Sequence, residues 1–518
     1  MKKIFAFSLI AISLISCKTT TSANNDKKLN ILFIAVDDLK PLLGCYGDTN
    51  IITPNIDQLA ERGTIFKNNH CQQSVCAPSR ASLLTGQRPD KTKVWDLKTV
   101  IRDTLPDVVT LPQYLGNNGY MTLGIGKIYD LRSVDRYHDK KSWNVPYINL
   151  TNEDYDEGFK KEAFRYYQSE HSKELEKKLK EEAIKDGIPK HGLDGYLSNK
   201  YRPTTENIDV PDGAYTDGAY TNVVIKALDT LKNSTKPFFF ALGYKKPHLP
   251  FNAPRKYWDM YDRNNIQLPE FQENSKNGFE FATQPGWEMF HYTDIDVEDC
   301  NNLEEAKKKE LIHGYYAAVS YIDKLIGDLV GKLKETGLDK NTIICIWGDH
   351  GWHLGDHGVW CKHTNFEQAT RSPLIIVDPR VNKKVIYNHP TEFVDVYPTL
   401  CELAGISIPD NLAGKSLAQV VRGDTSLIKK YAMSQYHRNL YFMGYSLRTK
   451  RYRYTLWLED AYNNNKPVTP DMFYAKELFD YEKDPLEKVN LAGLDEYKKI
   501  EEELHAYMIE YFKKEGMY

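Results

Sequence analysis

Short apolar runs without polar alternation recur along the chain and predict buried strands of a parallel sheet. The clearest runs, rich in β-branched and aromatic residues, cover residues 31–36, 121–126, 238–244 and 342–347. Continuous apolar runs of this length are typical of strands covered on both faces. Helical patterns separate them, for example at residues 53–60 and 220–231. This order predicts an α/β fold with a large mixed, mostly parallel sheet sandwiched by helices.

Ionisable side chains follow each of these four runs directly. They are Asp37 and Asp38, then Lys127, then Lys245, Lys246 and His248, and finally Asp349 and His350. Open α/β sheets bind ligands beyond the carboxyl ends of their parallel strands. We therefore expect these side chains to meet at one site, although a single charged strand end is equally typical of an ordinary polar turn.

The amino terminus has the pattern of an export signal. Lys2 and Lys3 precede an apolar run, residues 4–15, that is too short to span a bilayer, and Cys17 follows a lipobox-like sequence. We predict a lipoprotein signal peptide at residues 1–16, a lipid on Cys17 and a polar tether at residues 17–28. The predicted location is a bacterial cell envelope, in the periplasm or on the outer membrane. The alternative is an ordinary cleaved signal with an incidental cysteine.

Cys76 lies in a sequence that predicts the start of a helix. Pro78 suits a first helical turn and Gly86 suits a carboxyl-terminal cap. A helix amino terminus stabilises an anion and is expected to lower the pKa of a thiol. The segment from Cys76 to Arg80 also matches the C-x-P-x-R pattern that the formylglycine-generating machinery modifies.

Several segments together resemble the formylglycine-dependent sulfatases, which have an alkaline phosphatase-like fold. The residues that carry the resemblance are 36–39, 53–57, 76–86, 126–127 and 348–351, and further passages at 43–48, 246–251, 352–362 and 443–449 resemble the iduronate 2-sulfatase branch of that family. The similarity extends from about residue 30 to about residue 490, with an interruption near residues 135–205. It implies a catalytic domain at residues 29–423 and a smaller C-terminal antiparallel sheet with a helix at residues 424–518.

The resemblance also implies roles for individual residues. Cys76 becomes 3-oxoalanine (formylglycine), whose hydrate attacks sulfur, and a formylglycine-generating enzyme is the implied maturation partner. Hydrolysis of a sulfate ester needs positive charge around three anionic oxygens. Arg80, Lys127, His248 and Lys362 are the implied catalytic cations, and imidazole is the side chain suited to protonate the leaving oxygen. Asp37, Asp38, Asp349, His350 and the modified Cys76 are expected to hold one Ca²⁺, although direct ligation by His350 is open.

Two positions depart from the family pattern. Related sulfatases have a histidine shortly after the strand lysine, but this chain has Tyr129 and Asp130 there. Three alternatives are open: Asp130 acts as the base, another histidine reaches the site, or turnover is poor. Lys245 stands where the iduronate 2-sulfatase branch has a histidine, and Lys245 is therefore a candidate substrate ligand.

Other candidate substrate contacts come from aromatic and basic residues near the motifs. Trp352 and Trp360 are candidates for stacking on a sugar or for packing beneath their loop. His363 is a third candidate. Arg438, or the later Arg448, is a candidate ligand for a uronate carboxylate, with a structural ion pair as the alternative for Arg448.

The composition of the chain limits the classes of binding partner that we expect. Lys and Arg number 68 and Asp and Glu 71, so the net charge of −3 provides no broad basic surface for nucleic acid. Membrane attachment is expected only through the lipid. The predicted substrate is a sulfated oligo- or polysaccharide, a glycosaminoglycan or an algal polymer such as ulvan, from which a 2-O-sulfate of a uronate or similar sugar is removed. The charge-dense residues 155–190 are expected to shape the rim of the pocket.

Two other functions remain open at this point. His350, His353, His357, Cys361 and His363 are compatible with a zinc cluster, as in metal-dependent phosphoesterases and phosphonate hydrolases of the same superfamily. The missing histidine is compatible with a carbohydrate-binding lipoprotein with weakened catalysis. Lipidation of Cys17 would leave seven other cysteines, an odd number, so at least one could not form an internal disulfide.

Overall fold

A seven-stranded sheet lies at the centre of the larger part of the chain in the computed structural model, which describes residues 28–462 and 466–518. The predicted signal peptide and Cys17 lie outside the described residues. The strands are β1 (Asn30–Val36), β2 (Thr64–Phe66), β3 (Met121–Gly126), β4 (Phe238–Tyr244), β5 (Thr342–Gly348), β6 (Leu374–Val377) and β7 (Val385–Tyr387).

The sheet is mixed and mostly parallel, as the apolar runs predict. Its spatial order is β7-β2-β6-β5-β1-β4-β3, and β6 alone runs antiparallel to its neighbours. Successive β1 side chains point to opposite faces of the sheet. Leu32 and Ile34 therefore pack into one apolar core, whereas Ile31 and Phe33 pack into a second core on the other face. The prediction of a sheet sandwiched by helices is confirmed.

Helices cover both faces. The longer ones are α1 (Pro54–Ala60), α2 (Cys76–Thr85), α3 (Leu111–Asn117), α4 (Glu170–Lys185), α5 (Leu193–Lys200), α6 (Thr216–Leu231), α7 (Glu305–Thr336), α8 (Val396–Leu403) and α9 (Lys498–Lys514). Helices α1, α6 and α7 contribute to the first core, and α2, α3 and α8 to the second. Single-turn helices cover Pro89–Thr92, Ile101–Thr104, Arg255–Trp258, Glu367–Thr370 and Ala418–Val421.

The C-terminal part is a four-stranded antiparallel sheet covered by a helix, as predicted. Its strands are β8 (Ala432–Arg438), β9 (Phe442–Arg448), β10 (Tyr452–Leu458) and β11 (Phe473–Asp480). Leu504, Met508 and Phe512 of α9 pack on this sheet because their spacing places them on one face of the helix. Three short strand pairs also form, Asn69–His70 with Thr391–Glu392, His353–Leu354 with Trp360–Cys361, and Thr205–Ile208 with Phe251–Pro254.

The charge-dense insertion folds into helices α4 and α5 around a small core of its own. Phe164, Tyr167, Leu179 and Leu197 form this core. The exposed face of α4 carries ion pairs between residues three or four positions apart, which stabilise a solvated helix only slightly. Within residues 28–462 and 466–518, no helix combines the length and apolar character that crossing a bilayer requires.

Candidate active site

The four charged strand ends lie side by side. Strands β5, β1, β4 and β3 are consecutive in the sheet and parallel, so their carboxyl ends share one edge. Within this edge, Asp38 N–H donates to the Asp349 carboxylate at 2.9 Å, and Lys127 Nζ lies 2.5 Å from the Asp37 carboxylate. Residues separated by more than 300 positions in sequence therefore form one buried cluster.

Cys76 begins helix α2 and faces this cluster. The residue before it, Val75, is extended and provides no side-chain cap, so the helix amino terminus is free to face an anion. The helix ends at Gly86, whose φ of 65° is a left-handed conformation that glycine adopts without strain. The Cys76 Sγ lies 3.4 Å from Lys127 Nζ and 3.5 Å from His350 Nε2.

The thiol of Cys76 is not activated by this environment. Burial and the nearby Asp37 carboxylate raise its pKa well above the usual value, although Lys127 and Lys362 act in the opposite direction. The expectation that the helix amino terminus lowers this pKa is therefore wrong, because desolvation of the thiolate outweighs the helix. An unmodified cysteine here is a poor nucleophile.

Arg80 ties two strand ends to helix α2. Its guanidinium donates to Asp37 at 2.8 Å and to Asp349 at 2.9 Å, and it also donates to the backbone carbonyls of Lys127 and Ile128. All of the Arg80 side chain is buried. Although burial alone would lower the pKa of Arg80, the two carboxylates raise it, so the group stays charged.

Two lysines flank Cys76 on either side. Lys127 pairs with Asp37, and Lys362 Nζ lies 2.8 Å from Asp38 and 3.8 Å from the Cys76 Sγ. Burial opposes the charge of each lysine, but the adjacent carboxylates raise both pKa values above normal. Both lysines are therefore cations that face the position of Cys76.

One set of side chains fits a hard cation. Ligand atoms of Asp38, Cys76, Asp349 and His350 all lie within 4.8 Å of one another. The Nδ1 of His350 donates to the Gly351 carbonyl at 2.9 Å, which leaves Nε2 pointing at the Asp38 carboxylate 3.3 Å away. In neutral His350 a lone pair thus faces a carboxylate, an arrangement that a bound cation makes favourable.

The net charge of the cluster also favours a bound cation. Four carboxylates and three permanent cations lie together, namely Asp37, Asp38, Glu288 and Asp349 with Arg80, Lys127 and Lys362. A divalent cation would turn this net negative cluster into a net positive one that attracts an anionic ester. Arg80 and Lys127 form ion pairs with Asp37. A second group of possible metal ligands contains Asp37, Asp38 and His248.

His248 has a partner that the sequence does not reveal. Its Nδ1 donates to the Leu249 carbonyl at 2.6 Å, and its Nε2 lies 3.1 Å from Glu288 and 3.8 Å from Asp38. Glu288 also lies 3.1 Å from Lys362 Nζ. Glu288 belongs to an irregular segment without apolar periodicity, so no sequence pattern brings it to the site.

The residues that replace the family histidine have structural partners. The Tyr129 hydroxyl is 2.8 Å from Ser142 Oγ. Arg132 donates to both oxygens of Asp130 at 2.8 Å, and Lys127 Nζ is 3.9 Å away. Burial opposes ionisation of Asp130, but Arg132 and Lys127 lower its pKa to about 2. Asp130 is thus a weak base, and the structure does not favour it as a substitute for the histidine.

Two predicted stacking residues are buried. Trp352 is 0% exposed and Trp360 is 1% exposed, so neither offers a face to a sugar. Trp352 lies under Lys362, whose Nζ is 4.9 Å from its ring centroid. The stacking prediction is corrected: both indoles pack beneath the loop that carries Lys362.

The two candidate arginines have protein partners. Arg438 donates to the backbone carbonyls of Phe281 and Ala282, and burial lowers its pKa to about 10. Arg448 forms a two-point ion pair with Glu367, at 3.0 and 3.3 Å. Arg438 is therefore corrected to a structural residue, and Arg448 is the salt-bridge partner that was its alternative.

Lys245 and His363 differ from these arginines. Lys245 N–H donates to Asp217 at 2.8 Å, while its Nζ has no ion-pair or hydrogen-bond partner among the described residues. The Nδ1 of His363 is likewise buried and unpartnered, and burial lowers the pKa of His363 to about 3. Neither polar group has a protein hydrogen-bond partner among the described residues.

The structure does not form the zinc cluster. His353 bonds Thr364 through Nε2 at 2.8 Å, and His357 stacks on Phe366 with ring centroids 4.2 Å apart. Among the described residues, neither of the two possible ligand groups contains His353, His357 or Cys361. The seven described cysteines are all free thiols.

Comparisons identify the family. The Sulfatase model matches residues 29–406, more than half of the chain, and a model of the N-sulphoglucosamine sulphohydrolase C-terminal region matches residues 355–514. The chain therefore belongs to the sulfatase family and is a sulfuric ester hydrolase. Membership implies a formylglycine and a metal ion.

Individual relatives cover nearly the whole chain. Human iduronate 2-sulfatase is 31% identical over 91% of this chain and 92% of its own length. A Δ4,5-hexuronate-2-O-sulfatase of Bacteroides thetaiotaomicron is 27% identical, covering 95% and 90% of the two chains. An ulvan-active sulfatase of Formosa agariphila is 26% identical, covering 96% and 84%.

Solved structures share the fold. A 2-O glycosaminoglycan sulfatase matches with a TM-score of 0.63 and 23% identity, over 94% of this chain and 92% of that one. A phosphonate monoester hydrolase of Agrobacterium radiobacter matches with a TM-score of 0.67 and 19% identity, over 93% and 95%. At these identities the likeness concerns the fold alone.

Proposed function

We propose that the protein removes a sulfate group from a sugar through a formylglycine derived from Cys76. The supporting observation is the position of Cys76 at a free helix amino terminus, between two charged lysines and beside a cation-binding set of side chains. The raised pKa of its thiol argues against direct thiolate chemistry. A hydrated formylglycine supplies one hydroxyl that attacks sulfur and a second whose deprotonation releases the sulfate.

The chain's own residues then bind and orient the ester. Lys127 is held by Asp37 and Lys362 by Asp38, and both ammonium groups lie close to Cys76. The two lysines therefore neutralise the sulfate oxygens. Arg80 holds Asp37 and Asp349 in place and fixes the first turn of α2. His248, when protonated at Nε2, is the group that donates a proton to the departing sugar oxygen.

We propose that the metal is Ca²⁺. Asp38 and Asp349 offer hard carboxylate oxygens, His350 offers Nε2, and Asp37 lies within the same cluster. Oxidation of Cys76 replaces a soft sulfur by oxygen, which also suits a hard cation. Bound to these residues, the ion would supply positive charge that reduces the repulsion between the carboxylate cluster and an anionic ester.

We propose a 2-O-sulfated uronate, or a sugar of similar shape, as the substrate. The names of the human and Bacteroides relatives describe 2-O-sulfated uronates, and the name of the Formosa relative describes ulvan. The unpartnered Lys245 ammonium supports this choice because it is available to bind a sugar carboxylate. Insertion residues 155–190 support a shaped rim, since Glu162 and Tyr166 lie near Lys245.

Export and lipidation remain part of the proposal. Residues 1–16 and Cys17 have the signal and lipobox pattern, and the chain is proposed to reach the bacterial envelope on a lipid attached to Cys17. The test is labelled palmitate in the native cell, with Cys17→Ser as control. Incorporation into both proteins, or into neither, would contradict lipidation of Cys17.

The central experiment joins mass spectrometry with a substrate panel. In natively matured protein we expect the Cys76 peptide to carry an aldehyde, and sulfate release from defined 2-O-sulfated disaccharides to exceed phosphate release from matched esters. Cys76→Ala should lose at least 1,000-fold in kcat, whereas Cys401→Ala, a cysteine buried away from the site, is the matched control. A bare thiol in active enzyme would refute the nucleophile, and preference for phosphate esters would favour the phosphoesterase alternative.

A further inference from the structure

A turn at residues 284–288, here named the rim turn, is fixed against the segment from Trp360 to Lys362. The Gln284 side chain accepts from Gly286 N–H at 2.5 Å and from Trp287 N–H at 3.0 Å. Its amide also donates to the carbonyls of Trp360 and Lys362 at 2.9 and 3.2 Å. Because Gln284 is 5% exposed, a buried amide connects the turn to the segment that carries Lys362.

Gly286 gives the turn a shape that other residues would not tolerate. Its φ is 97°, and a Cβ there would lie 2.5 Å from the Cys300 Sγ. The Cys300 N–H donates to the Pro285 carbonyl at 3.0 Å, which holds the same segment from the other side. The direction of the next two residues is therefore set by backbone geometry.

Glu288 places a partly exposed carboxylate beside the residues proposed to bind the sulfate ester. It bridges His248 Nε2 and Lys362 Nζ, each 3.1 Å away, and its side chain is 18% exposed. Burial opposes ionisation of Glu288, but Lys362 and His248 lower its pKa well below the usual value. An anion is thus fixed beside Lys362, which is proposed to neutralise the sulfate oxygens, and beside His248, which is proposed to protonate the leaving oxygen.

Trp287, the residue before Glu288 in the rim turn, carries an exposed indole. It is 48% exposed, whereas the other seven tryptophans are all buried. Among the described residues, the Trp287 ring contacts no other aromatic ring and no cation. An exposed indole without a protein partner, next to a carboxylate, can bind a sugar, because the C–H face of a sugar stacks on indole and its hydroxyls donate to carboxylates.

We propose that the rim turn is the sugar-binding subsite that sets specificity. Trp287 stacks on the sulfated sugar or on its neighbour, and Glu288 accepts a hydrogen bond from the hydroxyl next to the ester. A sulfate at that adjacent position would bring a second anion against Glu288, so vicinally disulfated sugars are rejected. This inference rests on the proposed sulfatase function and adds a selection among its substrates.

The experiment compares three substrates that differ in whether they carry a sugar and a second sulfate group. They are an aryl sulfate, a monosulfated 2-O-sulfo uronyl disaccharide, and the same disaccharide with a second sulfate on the adjacent hydroxyl. For Trp287→Ala we expect the ratio of disaccharide to aryl sulfate kcat/KM to fall at least tenfold, mainly through KM. Trp287→Phe should recover part of that ratio. For Glu288→Gln we expect the preference for the monosulfated over the disulfated sugar to fall at least tenfold.

Matched controls separate this inference from the function on which it rests. Tyr518→Ala removes an aromatic of similar exposure, 44%, at the C-terminus, and should leave every ratio within twofold. Saccharide binding should also change the emission of wild-type protein but not of Trp287→Phe, since Trp287 is the exposed indole. If wild type cleaves no sulfate ester, the proposed function fails. If wild type is active but both ratios stay within twofold in the variants, the rim turn is not the subsite.

Discussion

Asp130 shows how a neighbouring charge removes a carboxylate from acid–base chemistry. Arg132 occupies both of its oxygens and, with Lys127, lowers its pKa to about 2. A working general base contributes roughly 100- to 10,000-fold to the rate. We predict that Asp130→Asn changes kcat by less than about tenfold and leaves the pH profile between pH 5 and 9 unchanged. Loss of one limb of that profile would instead identify Asp130 as the base.

The orientation of the His350 ring is the clearest residue-level indication of a metal site. Its Nδ1 is bound to Gly351, so its Nε2 is committed to the carboxylate cluster. A ligand present at 100 times its Kd stabilises a folded protein by about 2.7 kcal/mol. We predict that Ca²⁺ raises the Tm of the chelator-treated protein, and that His350→Leu removes most of this increase. His505→Gln, on α9, is the control and should respond like wild type; equal responses in all three proteins would contradict the site.

At the scale of elements, strands were easier to predict than loops. The runs that became β1, β3, β4 and β5 are buried on both faces, so burial explains their continuous apolar composition and makes the charged residues after each run easy to recognise as strand ends. The same reasoning fails at Trp352 and Trp360, where an aromatic residue in a loop serves equally as ligand contact or as core. It also misses Glu288, since contacts between an irregular segment and a distant loop leave no periodicity in the sequence.

Strand β10 connects the C-terminal sheet to the single-turn helix Glu367–Thr370, which precedes β6. Arg453 donates to Glu367 at 2.6 Å and lies 2.8 Å from Glu487, with 1% of its side chain exposed. Removing one partner of a buried ion pair leaves charge unpaired and costs roughly 3–5 kcal/mol. We predict a loss of that order for Arg453→Met, measured by denaturant unfolding.

The matched control for this strand is Arg451. Arg451 pairs with Asp480 and Glu482 but is 36% exposed, so solvent screens both pairs and they add little to stability. Arg451→Met should therefore lower the free energy of unfolding far less than Arg453→Met. Equal losses would show that the buried network does not hold the two parts together.

For the whole molecule, Glu477 joins the C-terminal sheet to the segment that leads to the rim turn. It accepts from Trp457 Nε1 at 2.8 Å and from Phe279 N–H at 3.1 Å. Burial raises its pKa to about 7, although these hydrogen bonds and Arg438 act in the opposite direction. The folded protein thus keeps a proton on Glu477 at pH values where the unfolded chain has released it.

The sign of the resulting pH dependence follows from this difference in protonation. Between about pH 4.5 and pH 7 only the folded state holds the proton, so raising the pH through this window destabilises the fold, by roughly 3 kcal/mol in total. Glu477→Gln removes the titration, and we predict that its stability relative to wild type increases by about that amount from pH 4 to pH 8. Glu482→Gln, on the exposed surface, is the matched control. Denaturant unfolding of the three proteins at each pH measures this increase, and a flat difference between Glu477→Gln and wild type would mean that Glu477 has the same pKa in the folded and unfolded states.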